Sequence, residues 1–308
     1  MNSIKSAARM VRARLEAWRN RAASRFVPRA RRAARGRKYL VTGATGGIGE
    51  AAAIELVASG ASVLVHGRSA QRLADTVGRL SAQARDGARI WSYQADLADP
   101  TELDNLLQQV RRDHRHLDGL INNAGVGIVP ERRVDGRGLE WVWAVNVVAP
   151  WQLAQGLAQM LAQGHSPRIL NLVSSLKREI GDDLMMESGY DPFHAYARSK
   201  QAMVVLTVAL AEQFRAQGIA VNALDPGGID TPMFAGFGLD YNGVPPSQAG
   251  KLLGRMIADP ALSGSSGLLY SIGRRIELPR QALDAEFRAR LVDSVRAHAA
   301  RRTTPAAR

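Results

Sequence analysis

Residues 38–49 read KYLVTGATGGIG: a short apolar run, a glycine-rich turn, and the start of an apolar helical pattern. This strand–turn–helix order is the context that a dinucleotide-binding turn requires. Gly43 permits the tight turn, Gly47 lets the backbone approach a pyrophosphate, and Gly49 allows close helix–strand packing. Glycines alone are equally typical of an ordinary loop. The strand before them and the helix N-terminus after them, with its free N–H groups, favour phosphate binding.

Downstream of this turn, short apolar runs alternate with helical patterns, which is typical of a parallel sheet buried on both faces. The alternation predicts an α/β fold, a Rossmann-type doubly wound parallel sheet in a single domain. Predicted strands cover 38–42, 62–66, 89–94, 117–122, 168–173 and 220–224, and predicted helices cover 48–58, 70–84, 100–114, 139–163 and 195–217.

The predicted domain covers residues 37–300 and is followed by a disordered tail, 301–308. Residues 232–280, rich in Gly, Pro and Leu, are predicted to form a substrate lid with an apolar lining. Apolar residues such as Phe234, Phe237, Tyr241 and Met256 are equally compatible with a place in the core.

Charge is concentrated in a basic N-terminal extension, residues 1–36. Residues 1–38 hold 13 Lys and Arg and one acid, whereas residues 39–308 hold 28 basic and 27 acidic residues, a net charge of +1. The chain has no cysteine, which excludes disulfides, thiolate metal sites and cysteine nucleophiles. The six histidines show no metal-ligand spacing, and His114 and His116 are predicted to face different sides of a helix. We therefore predict no metal site.

Within residues 3–26, apolar residues recur at steps of three or four, the period of one helix face: Ile4, Ala8, Val11, Leu15, Trp18, Ala22 and Phe26. Pro28 is predicted to close this helix, and Arg29–Lys38 to form a basic linker. Three interpretations stay open: a peripheral helix on an anionic membrane surface, an organelle transit peptide, or an inert extension, including one read from too early a start codon. No run of apolar residues is long enough to span a membrane.

Further motifs follow in order over residues 38–234, and they are Asp96-Leu97, NNAG at 122–125, Asn146, NLVSS at 171–175, YARSK at 196–200 and DPGGIDTPM at 225–233. Together with the glycine turn, they resemble the short-chain dehydrogenase/reductase family. Residues 248–271 and 284–295 resemble its retinol-dehydrogenase-like branch. A connection of twenty residues between Ser175 and Tyr196, longer than is usual in the family, fits that branch.

The resemblance implies a catalytic set of Asn146, Ser175, Tyr196 and Lys200. Tyr196 and Lys200, four apart, share a helix face. The lysine ammonium, with the positive nicotinamide of the oxidised cofactor, is expected to favour tyrosinate, so that Tyr196 exchanges a proton with the substrate oxygen. Of the two adjacent serines, motif alignment favours Ser175 over Ser174 as the substrate-binding one. Asn146 is expected to position a water that links Lys200 to solvent. A lone Tyr196 would more simply be a partly buried helix tyrosine.

The cofactor is predicted to be NADP(H), with NAD(H) the alternative. Where an NAD site carries an acid at the end of the second strand, this chain has Arg68 and Ser69, and Arg68 can pair with a 2′-phosphate. An arginine that simply faces solvent is the other interpretation. The resemblance implies the cofactor-binding set Gly43, Thr45, Gly46, Gly47, Ile48, Gly49, Arg68, Ser69, Asp96, Leu97, Asn123, Ala124, Gly125, Tyr196, Lys200, Pro226, Gly227, Ile229 and Thr231.

The predicted function is NADP(H)-dependent hydride transfer with a small, lipophilic carbonyl or alcohol substrate. The alternative is a catalytically silent sensor or scaffold that keeps the fold and the cofactor. A nucleic-acid binder is not expected, because the body of the chain is nearly neutral and the tail lacks a recognisable nucleic-acid-recognition motif. We expect a homo-oligomer in the cytoplasm, with membrane association through residues 3–26 as an open alternative.

Overall fold

In the computed structural model, which describes residues 27–235 and 243–301, one eight-stranded sheet forms the centre. The order of its strands is β3-β2-β1-β4-β5-β6-β7-β8, and every neighbouring pair is parallel except β7–β8. The strands are β1 (Lys38–Val41), β2 (Ser62–Gly67), β3 (Ile90–Gln94), β4 (Gly119–Asn122), β5 (Arg168–Leu172), β6 (Ala220–Asp225), β7 (Leu269–Ser271) and β8 (Arg274–Ile276). The doubly wound α/β prediction is confirmed.

Helices cover both faces of the sheet. They are α1 (Val27–Ala34), α2 (Gly47–Val57), α3 (Ala70–Ser81), α4 (Pro100–Asp113), α5 (Trp141–Trp143, π-helical Ala144–Val148, then Ala149–Ala162), α6 (Pro192–Gln213), α7 (Pro232–Ala235), α8 (Pro246–Ala258), α9 (Arg280–Leu283) and α10 (Ala285–Ala300). Short 3₁₀ turns occupy Arg215–Gln217 and Pro260–Leu262. None of the helices in the described part of the chain is long and apolar enough to cross a membrane.

Alternating side chains of the central strands separate the core into two layers. Leu40 packs in one layer with residues of α4, α5 and α6, whereas Val41 packs in the other with residues of α2, α3 and α8. Because the sheet is buried on both faces, its strands contain apolar runs rather than an alternation of apolar and polar residues. This explains why the predicted strands lie within two residues of the observed ones.

The long helix α6 begins at Pro192, three residues before the predicted start at Ala195. Asp191 is its N-cap, since the carboxylate accepts a hydrogen bond from the His194 backbone N–H, and Pro192 occupies the first turn. An acid followed by proline is a typical helix start, so this boundary could have been found from sequence.

The predicted linker after Pro28 is wrong, because Val27–Ala34 is helical. Ala30 and Ala34 are buried, and the Arg31 guanidinium donates two hydrogen bonds to the Glu55 carboxylate of α2, at 2.6 and 2.9 Å. These contacts dock α1 onto the body of the protein. The predicted amphipathic helix within residues 3–26 and the tail residues 302–308 lie outside the described residues.

The predicted lid over 232–280 is wrong for most of its length, and the core interpretation holds instead. Helix α8 packs against α2 so closely that a Cβ on Gly250 would lie 2.4 Å from the Ala51 carbonyl oxygen. Met256 is buried in the core, and β7 and β8 extend the sheet. Within the predicted lid, only Pro232 and Met233 line the cleft described below, and residues 236–242 lie outside the described residues.

Candidate active site

A cleft lies at the carboxyl ends of the parallel strands, where the chain order reverses between β1 and β4. In doubly wound sheets this is the position at which ligands bind. Residues from every strand end between β3 and β6 line it, and they are Gly43, Thr45, Gly46, Gly47, Ile48, His66, Gly67, Arg68, Arg72, Asp96, Leu97, Asn123, Ala124, Gly125, Val126, Val145, Leu172, Val173, Tyr196, Lys200, Pro226, Thr231, Pro232 and Met233.

The glycine turn leaves the N-terminus of α2 open toward this cleft. Gly43 and Gly47 have φ of +64° and +55°, which glycine adopts without strain. A Cβ on Gly49 would lie 2.3 Å from the Gly43 carbonyl oxygen, so Gly49 is required for packing within the turn. Gly46 is the N-cap of α2 and provides no side-chain cap, so the first N–H groups of the helix stay available to an anion.

The turn is held from below by hydrogen bonds to neighbouring strand ends. The Thr42 hydroxyl accepts the backbone N–H of Asn123 and of Ala124, at 3.1 and 3.0 Å. The Asn123 side-chain amide donates to the carbonyl oxygens of Thr42 and Gly43, at 2.8 and 3.1 Å. Asn123 therefore joins the end of β4 to the glycine turn.

His66 supports the same turn from β2, a role that the sequence analysis did not identify. It is buried, its Nδ1 accepts the Gly43 N–H at 3.3 Å, and its Nε2 lies 3.0 Å from the Ala95 carbonyl oxygen. A neutral imidazole with its proton on Nε2 satisfies both contacts. Burial lowers the pKa of His66 to about 4, so the neutral form dominates at neutral pH.

Two arginines stand at the end of the cleft beyond β2. Arg68 follows β2 directly, and Arg72 lies one turn into α3; both are exposed and line the cleft. Ser69 is the N-cap of α3, and its hydroxyl accepts a hydrogen bond from the Arg72 backbone N–H at 3.4 Å. Ser69 is not among the residues that line the cleft. Arg72 was not predicted, although its position four residues after Arg68 could have suggested it.

Asp96 and Leu97 line the same end of the cleft from the segment after β3, as the resemblance implied. The Asp96 carboxylate accepts the Ala98 backbone N–H at 3.0 Å. Asp96 is the sole carboxylate among the described residues that line the cleft. Asp96 follows β3 and not β2. The charged residues that line the cleft at the end of β2 are therefore both positive, Arg68 and Arg72.

Tyr196 and Lys200 lie on one face of α6 at the opposite end of the cleft, and both are buried. The Lys200 Nζ lies 5.6 Å from the centroid of the tyrosine ring and donates to the Leu172 carbonyl oxygen at 3.1 Å. Burial lowers the pKa of Lys200 to about 8. Burial also raises the pKa of Tyr196 to about 12, while a hydrogen bond with Ser174 lowers it and the Asp225 carboxylate raises it.

The expectation that Lys200 and the positive nicotinamide together favour tyrosinate stays a prediction. The Lys200 ammonium donates to a backbone carbonyl, and with its pKa raised by burial the Tyr196 phenol is protonated at neutral pH.

Ser174 is the serine whose side chain shares a hydrogen bond with Tyr196, while the assignment of Ser175 as the substrate-binding serine stays a prediction. Strand β5 ends at Leu172, so both serines lie in the irregular segment that follows it. The Ser174 Oγ also accepts the Leu176 backbone N–H at 3.1 Å, which fixes its direction.

Asn146 lies in the π-helical segment of α5, a type of irregularity that is frequent at functional sites. Its Oδ1 accepts the Val126 N–H at 2.8 Å, and its Nδ2 donates to the Val126 carbonyl and the Ser199 hydroxyl, both at 3.0 Å. Both amide hydrogens are thus used, and a single oxygen lone pair is left for any water. The Asn146 side chain holds the segment after β4 beside Lys200. This geometry does not require a water relay through the amide group.

Of the residues predicted after β6, Pro226 and Thr231 line the cleft, whereas Gly227 and Ile229 do not. Ile229 is buried in the core and pairs with Val244 in an isolated bridge. Gly227 has φ of +84° and donates its N–H to the Asp225 carboxylate at 3.0 Å. These two residues shape the turn that carries Thr231 to the cleft.

A buried charge pair anchors the long connection between β5 and α6. The Arg198 Nη2 lies 3.7 Å from the Glu140 carboxylate, and Nη1 donates to the Asp183 carbonyl oxygen at 2.8 Å. Glu140 in turn caps α5 by accepting the N–H groups of Val142 and Trp143. The charge pair thereby ties the connection to the helix that carries Tyr196.

Comparisons with known proteins agree with this geometry. A family model described as short chain dehydrogenase matches residues 37–242. A curated relative named "Probable oxidoreductase", from Streptomyces antibioticus, is 32% identical over 86% of this chain and 92% of its own length. Human retinol dehydrogenase 14 is 32% identical over 68% of this chain and 69% of its own length.

The match to another human relative, 32% identical, spans 62% of that relative's length. Among solved structures, a blue fluorescent protein from a metagenomic library, in complex with NADPH, has a TM-score of 0.62 and 28% identity. That match covers 78% of this chain and 97% of the other.

Proposed function

Because this chain belongs to the short-chain dehydrogenase family and is an NAD(P)-dependent oxidoreductase, we propose that it reduces the carbonyl group of a small, lipophilic substrate with NADPH, and oxidises the corresponding alcohol in reverse. The observation that carries this proposal is the hydroxyl of Tyr196, held by Ser174 inside the cleft and backed by Lys200 on the same helix face. NADP(H), when bound, supplies or accepts the hydride.

The residues of the cleft fit such a cofactor. The uncapped N-terminus of α2 suits a pyrophosphate, and a Cβ on Gly46 would meet no atom within 4 Å, so the surface there is open. Arg68 and Arg72 would hold a 2′-phosphate by charge-assisted hydrogen bonds. Gly125 lies beside Lys200, where a Cβ on it would be 3.5 Å from the Lys200 Nζ, and Thr231 lies against Gly47 of the glycine turn.

In this proposal Tyr196 is the general acid of carbonyl reduction. With a pKa of about 12, its phenol is protonated at neutral pH and can donate the proton to the substrate oxygen. Ser174 donates a second hydrogen bond to that oxygen, a role that the motif alignment had given to Ser175. Lys200 holds the ribose of the cofactor, and Asn146 positions the segment around Val126 next to it.

Apolar side chains that line the cleft support a lipophilic substrate, and they include Val126, Val145, Val173 and Met233. The name of the relative retinol dehydrogenase 14 points to the same class of alcohol and aldehyde. We expect longer aliphatic or isoprenoid aldehydes and ketones to be reduced with lower KM than short ones, because each buried methylene contributes about 0.8 kcal/mol.

The test is NADPH oxidation by the purified protein with a panel of aldehydes and ketones, compared with Tyr196→Phe. General acid catalysis contributes about 10²–10⁴-fold, so turnover should fall by that factor while NADPH affinity, measured by calorimetry, is retained. Tyr270→Phe, a buried tyrosine on β7, is the matched control and should keep its activity. NADPH binding without turnover of any substrate would instead identify the silent sensor.

We also propose that Arg68 and Arg72 set a preference for NADPH over NADH. Arg68→Ala and Arg72→Ala should each weaken NADPH binding by about tenfold or more, the value of a lost charge-assisted hydrogen bond, and leave NADH binding unchanged. Arg89→Ala, an exposed arginine at the amino end of β3, is the control. A wild-type protein that binds NADPH no better than NADH would refute the preference.

Residues 3–26 are proposed to lie on an anionic membrane surface, through the predicted apolar stripe and its flanking arginines. Deletion should stop at residue 26, because α1 packs on the body through Ala30, Arg31 and Ala34. Sedimentation of the full chain with anionic vesicles, lost on deletion, is the expected result. Binding of DNA, or equal sedimentation of both proteins, would contradict it. Size-exclusion chromatography with light scattering tests the proposed homo-oligomer.

A further inference from the structure

We infer that His116, Asp118 and His165 form a binding site for a divalent transition metal ion, with Zn²⁺ the ion that best suits two imidazoles and one carboxylate. The ligand atoms of the three side chains lie within 4.8 Å of one another. They sit at the amino ends of β4 and β5, the edge of the sheet opposite the cofactor cleft. This inference does not depend on the proposed reaction.

The distances suit tetrahedral coordination. The His165 Nδ1 lies 3.4 Å from Asp118 Oδ1, and the His116 Nε2 lies 3.8 Å from Asp118 Oδ2. Ligands at zinc bond lengths of about 2.0–2.1 Å in a tetrahedron are separated by about 3.4 Å. His165 is therefore at that separation from one carboxylate oxygen, Oδ1, while His116 faces the other, Oδ2, so its side chain must move to bring both imidazoles to one ion. A water would take the fourth position, as in sites with three protein ligands.

The carboxylate is rigidly held, which is what a metal ligand requires. Asp118 is buried, and its two oxygens accept the backbone N–H groups of Lys38 and His165, both at 2.7 Å. Each oxygen keeps a second lone pair for a cation. The backbone of Asp118 also bonds to both neighbouring strands, at Lys38 and Arg168, so the whole residue is fixed in the sheet.

Glycine at position 164 brings the third ligand to the cluster. A Cβ on Gly164 would lie 2.1 Å from the Leu117 carbonyl oxygen, so only glycine permits the connection between α5 and β5 to pass this close. That passage sets His165 beside Asp118, although the two residues are 47 positions apart in the chain. The imidazoles themselves are free to adjust, since the side chains of His116 and His165 are 35% and 75% exposed.

No metal site was predicted, because the histidines lack metal-ligand spacing in the chain and His116 was placed on a helix. Helix α4 ends at Asp113, and His116 lies in the turn before β4. Arg37 opposes the site: its Nη1 lies 3.6 Å from Asp118 Oδ1, and its positive charge weakens the binding of any cation there. The Arg37 side chain is partly exposed, so solvent screens this repulsion.

The test is calorimetric titration of Zn²⁺ into the untagged, metal-free full chain. We expect one ion per chain, and His116→Asn and His165→Asn should each weaken its binding at least tenfold. His194→Asn, a histidine outside the cluster, is the matched control and should bind as the wild type does. The histidine variants avoid Asp118, whose loss would leave two backbone N–H groups without an acceptor and could prevent folding.

Two further readouts separate a built site from adventitious zinc. Co²⁺ in place of Zn²⁺ should give the intense visible absorption of four-coordinate cobalt in the wild type and the His194 variant, and not in the two cluster variants. Zn²⁺ should raise the melting temperature of the wild type and of the His194 variant, and not of the two cluster variants, because a ligand that binds only the folded state stabilises it. Equal affinity in all four proteins, or no binding to the wild type, would overturn the inference.

Discussion

Replacing Ser174 with alanine tests which of the two adjacent serine hydroxyls acts together with Tyr196 in the reaction. The substitution deletes one oxygen atom, and with it the side-chain hydrogen bond between the two residues and the bond that Ser174 Oγ accepts from the Leu176 backbone N–H. Ser175→Ala removes the same atom one position along and leaves that bond in place. We expect Ser174→Ala to lower turnover strongly and Ser175→Ala to leave it close to that of the wild type.

The magnitude follows from what the Ser174 hydroxyl does in the cleft. Loss of an ordinary hydrogen bond costs about 1 kcal/mol, or about fivefold. Loss of a donor that is aimed at the reacting oxygen costs about 10²–10³-fold in kcat. If Ser174 only braces Tyr196, the smaller factor applies; if it also binds the substrate oxygen, the larger one does. We expect the larger one.

The pH dependence gives a second, independent readout. Ser174 lowers the pKa of Tyr196 against the effect of burial, so its removal raises that pKa further. In alcohol oxidation Tyr196 must be deprotonated to accept the substrate proton, so the rise of the rate with pH should shift to higher pH in the variant. In carbonyl reduction at neutral pH the phenol is protonated in both proteins, so no such shift is expected.

The assay is steady-state NADPH oxidation with the best carbonyl substrate, together with the pH profile of the reverse reaction. NADPH affinity should be equal in the three proteins, which separates a chemical defect from a binding one. A larger loss in Ser175→Ala than in Ser174→Ala would refute the reasoning and restore the motif alignment.

Two further predictions concern the glycine turn. Gly49→Ala places a Cβ 2.3 Å from the Gly43 carbonyl oxygen and should weaken NADPH binding, measured by calorimetry, at least tenfold. Gly78→Ala is the control: a Cβ on this residue of α3 would meet no atom within 4 Å, so the substitution should stabilise the protein by up to about 1 kcal/mol. His66, with its pKa lowered to about 4, stabilises the fold fully above about pH 6.5, and this contribution of about 3 kcal/mol is lost as the pH falls toward 4. Denaturant unfolding at pH 7, 5 and 4 measures this, and a His66→Gln variant with an unchanged pH slope would contradict it.

The fold could be predicted because its local patterns and its tertiary structure agree. The parallel strands are short and apolar, and each is followed by a helix with the expected period, so β1–β6 and α2–α6 were found close to their observed bounds. Strands β7 and β8, of three residues each, carry too little pattern to be recognised. Helix α8 was interpreted as a lid because its apolar face packs on α2, a partner that sequence periodicity does not identify.

The glycine turn and the pair on α6 were predicted from spacing, since residues four apart on a helix must share a face. Ser174 and Ser175 lie beyond the end of β5, where spacing carries no such constraint, so the choice between them stays a prediction. The residues after β6 illustrate the same limit, because Thr231 reaches the cleft while Ile229, two positions earlier, enters the core.

His66 and the histidine cluster at the opposite edge show why other features were missed. Each depends on parallel strands that pair side by side although their residues lie far apart in the chain: His66 meets Ala95 across β2 and β3, and Asp118 meets His165 across β4 and β5. A parallel sheet collects strand starts at one edge and strand ends at the other, so each edge can assemble polar groups from distant segments. The cofactor cleft uses the carboxyl edge, where helix N-termini face the ligand. The amino edge lacks those dipoles, so a cation, not an anion, is the ligand that its histidines and buried carboxylate suit.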